Sequence, residues 1–260
     1  MYERVLLMNR FDSGSERARR EIEHGRIISR ADTEEIWGWN TPAGRLRARR
    51  RGEMIMLKAG LQPTMNVLEI GCGTGLFTAI FAQSGARILA VDISRDLINK
   101  AVVRNLPSDR VQFSNVPFED EKVEGLFDAV VGSSILHHLD IEQALRLIFK
   151  LLLPGGIMSF AEPNMLNPQI MIQKNVPWLK ERLGDSPDET AFFPWGLGKQ
   201  IAAAGFSDVE VIPFDWLHPL TPKSMISAFI LLGSVLEKVP MIRNLAGSLL
   251  ISARKPAKKR

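Results

Sequence analysis

The stretch Val67-Leu68-Glu69-Ile70-Gly71-Cys72-Gly73-Thr74-Gly75 decides the fold of this chain. A short apolar strand carrying one acid leads into three glycines at alternate positions, and an apolar helix is predicted from Leu76 onward. Glycines at such a junction allow a tight turn and let a ligand approach the backbone. The helix start offers free N–H groups and positive dipole density to a carboxylate or phosphate. The stretch therefore predicts a strand–loop–helix unit that binds a nucleotide-like ligand.

Alternating strands and helices extend outward from this unit. Strands are predicted at Val67–Ile70, Arg87–Val91, Val111–Phe113, Phe127–Val131, Ile157–Ala161, Asp208–Pro213 and Ser248–Ala253. Strands separated by helices favour right-handed crossovers and a mainly parallel sheet covered on both faces. The sequence therefore predicts an α/β fold.

The remaining stretches set the domain organisation. Residues 1–40 are polar and rich in arginine, which predicts a loosely helical N-terminal arm. Thr41-Pro42 predicts the start of a helix near 42–59, and the main domain is placed at residues 41–254. The alternation breaks at about 163–194 and 213–245, so these two segments are predicted to form a cap. Residues 255–260 form a basic tail.

Composition excludes several classes of protein. The chain has 260 residues, of which 45% are hydrophobic and 24% charged, and this rules out a disordered chain. One cysteine, Cys72, excludes a disulfide framework and a cysteine-based zinc cluster. No secretory signal is visible, and the apolar Met225–Leu236 stretch is too short to span a bilayer. The sequence predicts a soluble, cytoplasmic protein.

The charge distribution argues against a nucleic-acid partner. Residues 1–60 carry a net charge of +4 and residues 251–260 carry +5, whereas residues 61–250 carry −5. An enzyme acting on nucleic acid more often places basic residues around its active face.

The glycine spacing discriminates between nucleotide ligands. The dinucleotide fingerprint requires a third glycine at position 76, where this chain has Leu76, and this counts against NAD and FAD. An acid, Asp92, follows the second predicted strand about 20 residues on, where a carboxylate suits the paired hydroxyls of a ribose.

Together these pieces resemble the class I S-adenosylmethionine (SAM)-dependent methyltransferases. The matching pieces are the glycine stretch, Asp92, Phe127-Asp128-Ala129-Val130-Val131, Leu136-His137-His138-Leu139 and Leu153-Pro154-Gly155-Gly156. They cover residues 60–160 firmly and 195–254 loosely. The resemblance implies a Rossmann-like, seven-stranded, mostly parallel sheet in the order 3-2-1-4-5-7-6, with the last strand antiparallel and helices on both faces.

The resemblance also implies a SAM site, residue by residue. Gly71, Gly73 and Gly75 would pass beneath the methionine part of SAM, and Glu69 would anchor its amino group, directly or through water. Asp92 would hold the ribose, and the base would meet Ile93 and the pair Asn115 and Val116. The remaining implied contacts are Cys72 in the loop, Ser133 and Ser134 under the sulfonium, and Arg45 or Arg47 at the carboxylate.

Candidate bases lie where open α/β sheets bind ligands, at the C-terminal ends of the strands. They are His137, His138 and Glu162; the alternative is that the histidines only cap or pack the next helix. The predicted acceptor pocket consists of Trp37, Trp39, Trp178, Phe192, Phe193, Trp195 and Trp216. Each of these rings has the alternative role of sealing the cap onto the sheet. No metal site is predicted.

The predicted function is SAM-dependent methyl transfer to an O, N or C atom of a small or lipid-linked, partly apolar acceptor. One alternative is a regulatory protein that binds SAM or S-adenosylhomocysteine (SAH) without catalysis. Another is a nucleic-acid methyltransferase, but Ser133-Ser134-Ile135-Leu136 stands where amino-methylating enzymes usually have Asp/Asn-Pro-Pro-aromatic. Met225–Leu236 is expected to pack on the sheet, with a dimer face or contact with a lipid-like substrate as alternatives. The protein is expected to be a monomer or homodimer, and peripheral membrane contact stays open.

Overall fold

A seven-stranded sheet in the order β3-β2-β1-β4-β5-β7-β6 forms the centre of the computed structural model. The strands are β1 Asn66–Ile70, β2 Arg87–Asp92, β3 Val111–Asn115, β4 Phe127–Ser133, β5 Leu152–Pro163, β6 Ser207–Phe214 and β7 Ser248–Arg254. The first five are parallel, and β7 runs antiparallel to both β5 and β6. The predicted fold class and strand order are therefore confirmed.

The structure describes residues 16–183, 185–186 and 189–257. Its helices are α1 Glu16–Ile28, α2 Thr33–Ile36, α3 Pro42–Ala59, α4 Leu76–Phe81, α5 Arg95–Val102, α6 Ile141–Leu151, α7 Pro168–Asn175, α8 Pro177–Arg182, α9 Pro194–Ala203, α10 Ile226–Leu236 and α11 Pro240–Arg243. Residues 1–15 of the predicted arm and 258–260 of the predicted tail lie outside the described residues. None of the helices in the described ranges combines the length and apolar character needed to cross a membrane.

Successive side chains of the central strands point alternately into two hydrophobic cores, one on each face of the sheet. Leu68 of β1 packs in one core with Val130 and Ile148, whereas its neighbour Val67 packs in the other with Phe81. Side chains alternate across a strand, and a parallel sheet covered on both faces needs apolar residues on each. Because β1, β2 and β4 pair in parallel, their C-terminal ends meet at one edge of the sheet.

Helix α3 matches its prediction from Thr41 onward. The Thr41 hydroxyl accepts the Gly44 N–H at 2.9 Å, and the helix ends at Gly60, which has a φ of +63°. A left-handed glycine after the last turn is a common helix stop. The helix packs on β4, β5 and α4.

The described part of the predicted arm forms the helices α1 and α2, and Gly25 of α1 packs closely on Ser94, which follows β2. Two other expectations need correction. The Pro154-Gly155-Gly156 turn lies inside β5 as a bulge, between the Leu152 and Ile157 pairings with β4. The Met225–Leu236 helix does not pack broadly on the sheet, since only Ile226 and Gly233 of α10 are buried.

Candidate active site

The loop after β1 has the glycine geometry that the sequence predicted. Gly71, Gly73 and Gly75 have φ values of +67°, +53° and +76°, which side chains disfavour. A Cβ on Gly71 would lie 2.4 Å from Ile135 Cγ1. The backbone N–H groups of Gly71 and Cys72 donate to Val91 O at 2.8 and 3.1 Å, which ties the loop to the end of β2.

Asp92 organises this loop from the end of β2. Its Oδ2 accepts the Gly73 N–H and its Oδ1 accepts the Ser94 N–H, both at 2.8 Å. Burial raises the pKa of Asp92, although the two backbone hydrogen bonds oppose that shift. Each carboxylate oxygen can accept more than one hydrogen bond, so both keep capacity for a ligand hydroxyl.

A cavity of about 970 Å³ lies above the C-terminal ends of the strands. Its volume is near the top of the range for small-molecule sites. Of the predicted cofactor residues, the cavity wall contains Gly71, Cys72, Gly73, Asp92, Ile93, Val116, Ser133 and Ser134. The structure therefore brings together residues from the ends of β1, β2, β3 and β4.

Three predicted cofactor residues lie behind the wall instead of in it. Glu69 is buried beneath the loop, where burial raises its pKa to about 8, and its Oε2 has no hydrogen-bond partner in the described chain. Asn115 uses its amide to donate to Asp92 O and Ile93 O at 2.9 and 2.8 Å. Gly75 packs against Ala101. Their predicted roles around SAM, including a direct or water-mediated contact of Glu69, stay predictions.

Two arginines of α3 reach the cavity, and one of them, Arg47, is among the two arginines expected at the SAM carboxylate. Arg45 is exposed and donates to Asn40 O, whereas Arg47 and Arg51 line the cavity. Positions 47 and 51 share one face of α3 because they are four residues apart. Arg47 pairs with Asp215 at 2.8 Å.

Arg51 holds the end of β4 in place. Its guanidinium donates to Ser133 Oγ at 2.8 Å, Ser134 Oγ at 3.0 Å, Ser248 Oγ at 2.9 Å and Ala161 O at 2.5 Å. Burial lowers the pKa of Arg51 to about 10, so the side chain is still charged at neutral pH. It therefore joins β4, β5 and β7 beneath the cavity.

Substitution of Arg51 tests this role. Arg51→Met should lower the free energy of unfolding by about 2 kcal/mol, because it leaves buried hydroxyls without their donor. Arg45→Met on the same helix should change it by less than about 0.5 kcal/mol, because that site is exposed. Urea denaturation of both variants measures the difference, and equal stabilities would contradict a structural role for Arg51.

His137, which lines the cavity, forms a buried pair with Glu162 behind the wall. His137 Nδ1 lies 2.5 Å from Glu162 Oε2, and Glu162 Oε1 accepts the N–H groups of Ile135 and Leu136 at 3.0 and 2.9 Å. Burial alone would lower the pKa of His137, but the charge and hydrogen bond of Glu162, with Glu189, raise it to about 9. Glu162 is completely enclosed and outside the cavity wall, so it contacts His137 instead of the cavity, and its role as a base stays a prediction.

His137 Nε2 faces a cluster of charged side chains, Lys174, Asp185 and Glu189, which the sequence analysis did not predict. His137 Nε2 lies 3.4 Å from Glu189 Oε1, and Lys174 bonds both Glu189 and Asp185, the latter at 2.9 Å. Lys174 has only 4% of its side chain exposed. Charged residues inside an apolar, aromatic segment were the only signal in the sequence.

His138 belongs to a second contact between the strand ends and α1. Its Nδ1 lies 3.0 Å from Glu21 Oε2, and Glu21 Oε1 accepts the Ser186 hydroxyl at 2.6 Å. His137, His138 and Glu189 offer metal-ligand atoms within 4.8 Å of one another. However, the Lys174 ammonium already neutralises Glu189, so we assign no metal to this group.

The predicted acceptor rings divide into two groups. Trp37, Trp39 and Trp216 line the cavity: Trp37 lies over Gly73, and Trp39 contacts Phe77 edge-on at 5.6 Å. The other four rings lie outside the cavity wall, so the structure does not bring them together with these three. Trp178, Phe193 and Trp195 are more than half exposed, and Phe192 packs against the core.

Comparison with known proteins agrees with this geometry. A family model for a methyltransferase domain matches residues 68–158. A demethylmenaquinone methyltransferase of Mycolicibacterium gilvum is 30% identical over 167 residues, which are 58% of this chain and 72% of that protein. A ubiquinone biosynthesis O-methyltransferase of Xanthomonas axonopodis is 33% identical over 133 residues, 49% of this chain and 56% of that one. This chain therefore spans little more than half of the second relative.

A solved structure shows the same fold at low identity. The N-methyltransferase NodS of Bradyrhizobium japonicum, in complex with SAH, superposes with a TM-score of 0.62 at 16% identity. The alignment covers 91% of this chain and 99% of that one. The chain belongs to the class I SAM-dependent methyltransferases.

It is accordingly an enzyme whose methyl donor is SAM. The residues present fit this cofactor. The glycine loop leaves room for a ligand beside the backbone, Asp92 keeps acceptor capacity for a ribose, and Glu69 has an unpartnered buried oxygen beneath the loop.

Proposed function

We propose that this enzyme methylates a small, partly apolar acceptor that carries a polar group and binds on the cap side of the cavity. The observation that supports this proposal is that a single cavity is lined both by the glycine loop and Asp92 and by Trp216 and Ile170 of the predicted cap. When bound, SAM supplies an electrophilic methyl group on a positively charged sulfur. Two relatives are named for demethylmenaquinone and ubiquinone biosynthesis, which favours a quinol-like or phenolic acceptor.

In this proposal the chain mainly positions and desolvates the acceptor. The residues under the reacting groups are Ser133 and Ser134, which Arg51 fixes by hydrogen bonds. His137 lines the cavity, but it is protonated at neutral pH and both ring nitrogens already face carboxylates, Glu162 and Glu189, so in this proposal it positions Glu189. The Glu189 carboxylate, which His137 and Lys174 keep ionised, would accept a hydrogen bond from the acceptor. His138 stays a candidate base, held by Glu21.

An acceptor screen tests the proposal. The purified enzyme with SAM is assayed for SAH release on short-chain quinols, simple phenols, amines and duplex DNA or RNA. The proposal expects turnover with at least one apolar phenol or quinol and none with nucleic acid. Turnover on nucleic acid alone would overturn it.

Trp216 offers a sharper test of where the acceptor binds. Trp216→Ala should raise KM for the acceptor roughly 10-fold or more, because a tryptophan contact contributes about 1.5–3 kcal/mol when fully covered. The SAM affinity should stay within about twofold of the parent value. The matched control is Trp195→Ala, whose ring is 64% exposed and outside the cavity. Equal acceptor KM values in the two variants would place the acceptor elsewhere.

A further inference from the structure

Helix α10 combines an apolar sequence with an exposed position. Its sequence Ile-Ser-Ala-Phe-Ile-Leu-Leu-Gly-Ser-Val-Leu contains no charged residue. Helices that are apolar all round are normally buried in a protein core or a membrane. Here Leu231 is 68% exposed and Leu232 is 51% exposed. Within the described part of the chain, no other segment covers these exposed apolar side chains of the helix.

The exposed apolar side chains of α10 are spread around more of its circumference than a single narrow stripe. At about 100° per residue, Ile230, Leu231, Val235 and Leu232 spread over roughly 200° of the circumference. The opposite side, with Ile226 and Gly233, packs on the protein, and Gly233 lies against Trp216. A helix docked on a rigid partner needs an apolar stripe of about 100°. Acyl chains, in contrast, cover every exposed side.

The apolar surface continues beyond α10. Val239, Met241, Ile242 and Leu245 follow along the chain and are all exposed, Met241 by 84%. Monomeric proteins rarely expose contiguous apolar patches larger than a few hundred Å². We name residues 226–245 the α10–α11 surface.

Basic residues flank this surface. Lys223, Lys238 and Arg243 are exposed along residues 222–245. The only acid in that range is Glu237, which Arg50 binds at 2.6 Å. Basic groups beside an apolar helix complement anionic lipid headgroups, at about 1 kcal/mol for each Lys or Arg near the surface.

We propose that the α10–α11 surface adsorbs to an anionic membrane, with its apolar side chains at the boundary between headgroups and acyl chains. The 11-residue helix is about 16 Å long, so it lies in the plane of the interface. Because Gly233 packs on Trp216, adsorption brings the cap side of the cavity to the membrane. This proposal goes beyond the methyl-transfer reaction and does not depend on the acceptor.

Vesicle co-sedimentation tests the proposal with the full chain. Vesicles of phosphatidylcholine with 30% phosphatidylglycerol should bind the protein at least 10-fold more tightly than pure phosphatidylcholine. Leu231→Glu with Leu232→Glu should reduce that binding at least 10-fold. Lys238→Glu with Arg243→Glu should reduce it similarly and weaken its salt dependence.

The matched control is Leu57→Glu with Val103→Glu, at positions 81% and 75% exposed outside this surface. These changes should leave vesicle binding unaltered, and SAM titration checks that every variant is folded. Failure of the parent protein to bind anionic vesicles, or undiminished binding by the Leu231 and Leu232 variant, overturns the proposal. Light scattering adds a further outcome. A parent dimer that binds no vesicles and that this variant dissociates would make the surface an interface between copies, which also overturns the proposal.

Discussion

Asp92→Asn should weaken SAM binding by about 100-fold, a loss near 3 kcal/mol in binding free energy. Its two carboxylate oxygens each accept one backbone N–H, from Gly73 and Ser94. An amide has a single oxygen, so one of these N–H groups loses its acceptor and faces an NH₂ group. The variant therefore distorts the glycine loop and also loses the charged acceptor proposed for the ribose. Calorimetric titration with SAM and with SAH measures the change.

Asp128→Asn is the matched control. Asp128 also accepts a backbone N–H, from Asn66 at 2.8 Å, but it lies near the start of β4, away from the cavity. SAM affinity should stay within about twofold in this variant. If Asp92→Asn also left the affinity within threefold, the ribose contact at the end of β2 would be wrong.

Glu162→Gln should lower the free energy of unfolding by about 3 kcal/mol at pH 7, because it breaks a buried ion pair by removing one charge. The glutamine keeps an oxygen for the N–H groups of Ile135 and Leu136, so the loss comes chiefly from His137. The matched control is Glu210→Gln. Glu210 pairs with Lys58 on the surface, and its loss should cost less than about 0.5 kcal/mol.

The pH dependence of stability separates this mechanism from a simple packing defect. The pKa of His137 rises from 6.5 to about 9 on folding, so between these values the folded state keeps a proton that the unfolded state releases. The stabilisation is complete below pH 6.5 and is lost as the pH rises through 9. Glu162→Gln should flatten this decline. Denaturation curves at pH 6.5, 7.5 and 9 measure it, and identical slopes in both proteins would show that Glu162 does not hold the proton.

The arginines of α3 show that the local sequence pattern does not predict which side chains of a helix reach the site. Five arginines lie between positions 45 and 51, so composition alone could not select the two that line the cavity. The choice depends on the rotation of α3 against β4 and β5, which turns Arg51 inward and leaves Arg45 in solvent. That rotation is fixed by packing, as in the burial of Ile55 and Ala48.

The cap cluster shows a second limit. Lys174, Asp185 and Glu189 come from a segment without regular periodicity, and they meet His137 from a distant part of the chain. Ion pairs of this kind leave no spacing signal in one sequence, because neither partner constrains its chain neighbours. Trp216 enters the cavity while Trp195 stays exposed, and the local sequence around these two rings likewise gives no signal of the difference.

The sequence by itself determined the position of the cofactor loop and the alternation of strands with helices. Both follow from short-range rules: glycines where φ must be positive, an acid at the end of a strand, and apolar strands separated by helices. The sheet order was implied by the resemblance of these motifs to the class I SAM-dependent methyltransferases, and the structure confirms it. Only the tertiary structure decided that Arg51 supports the end of β4, that His137 carries a raised pKa, and that α10 presents its apolar side chains outward. Burial, proton affinity and exposure are set by neighbours far away in the chain, and they become defined only when the segments pack together.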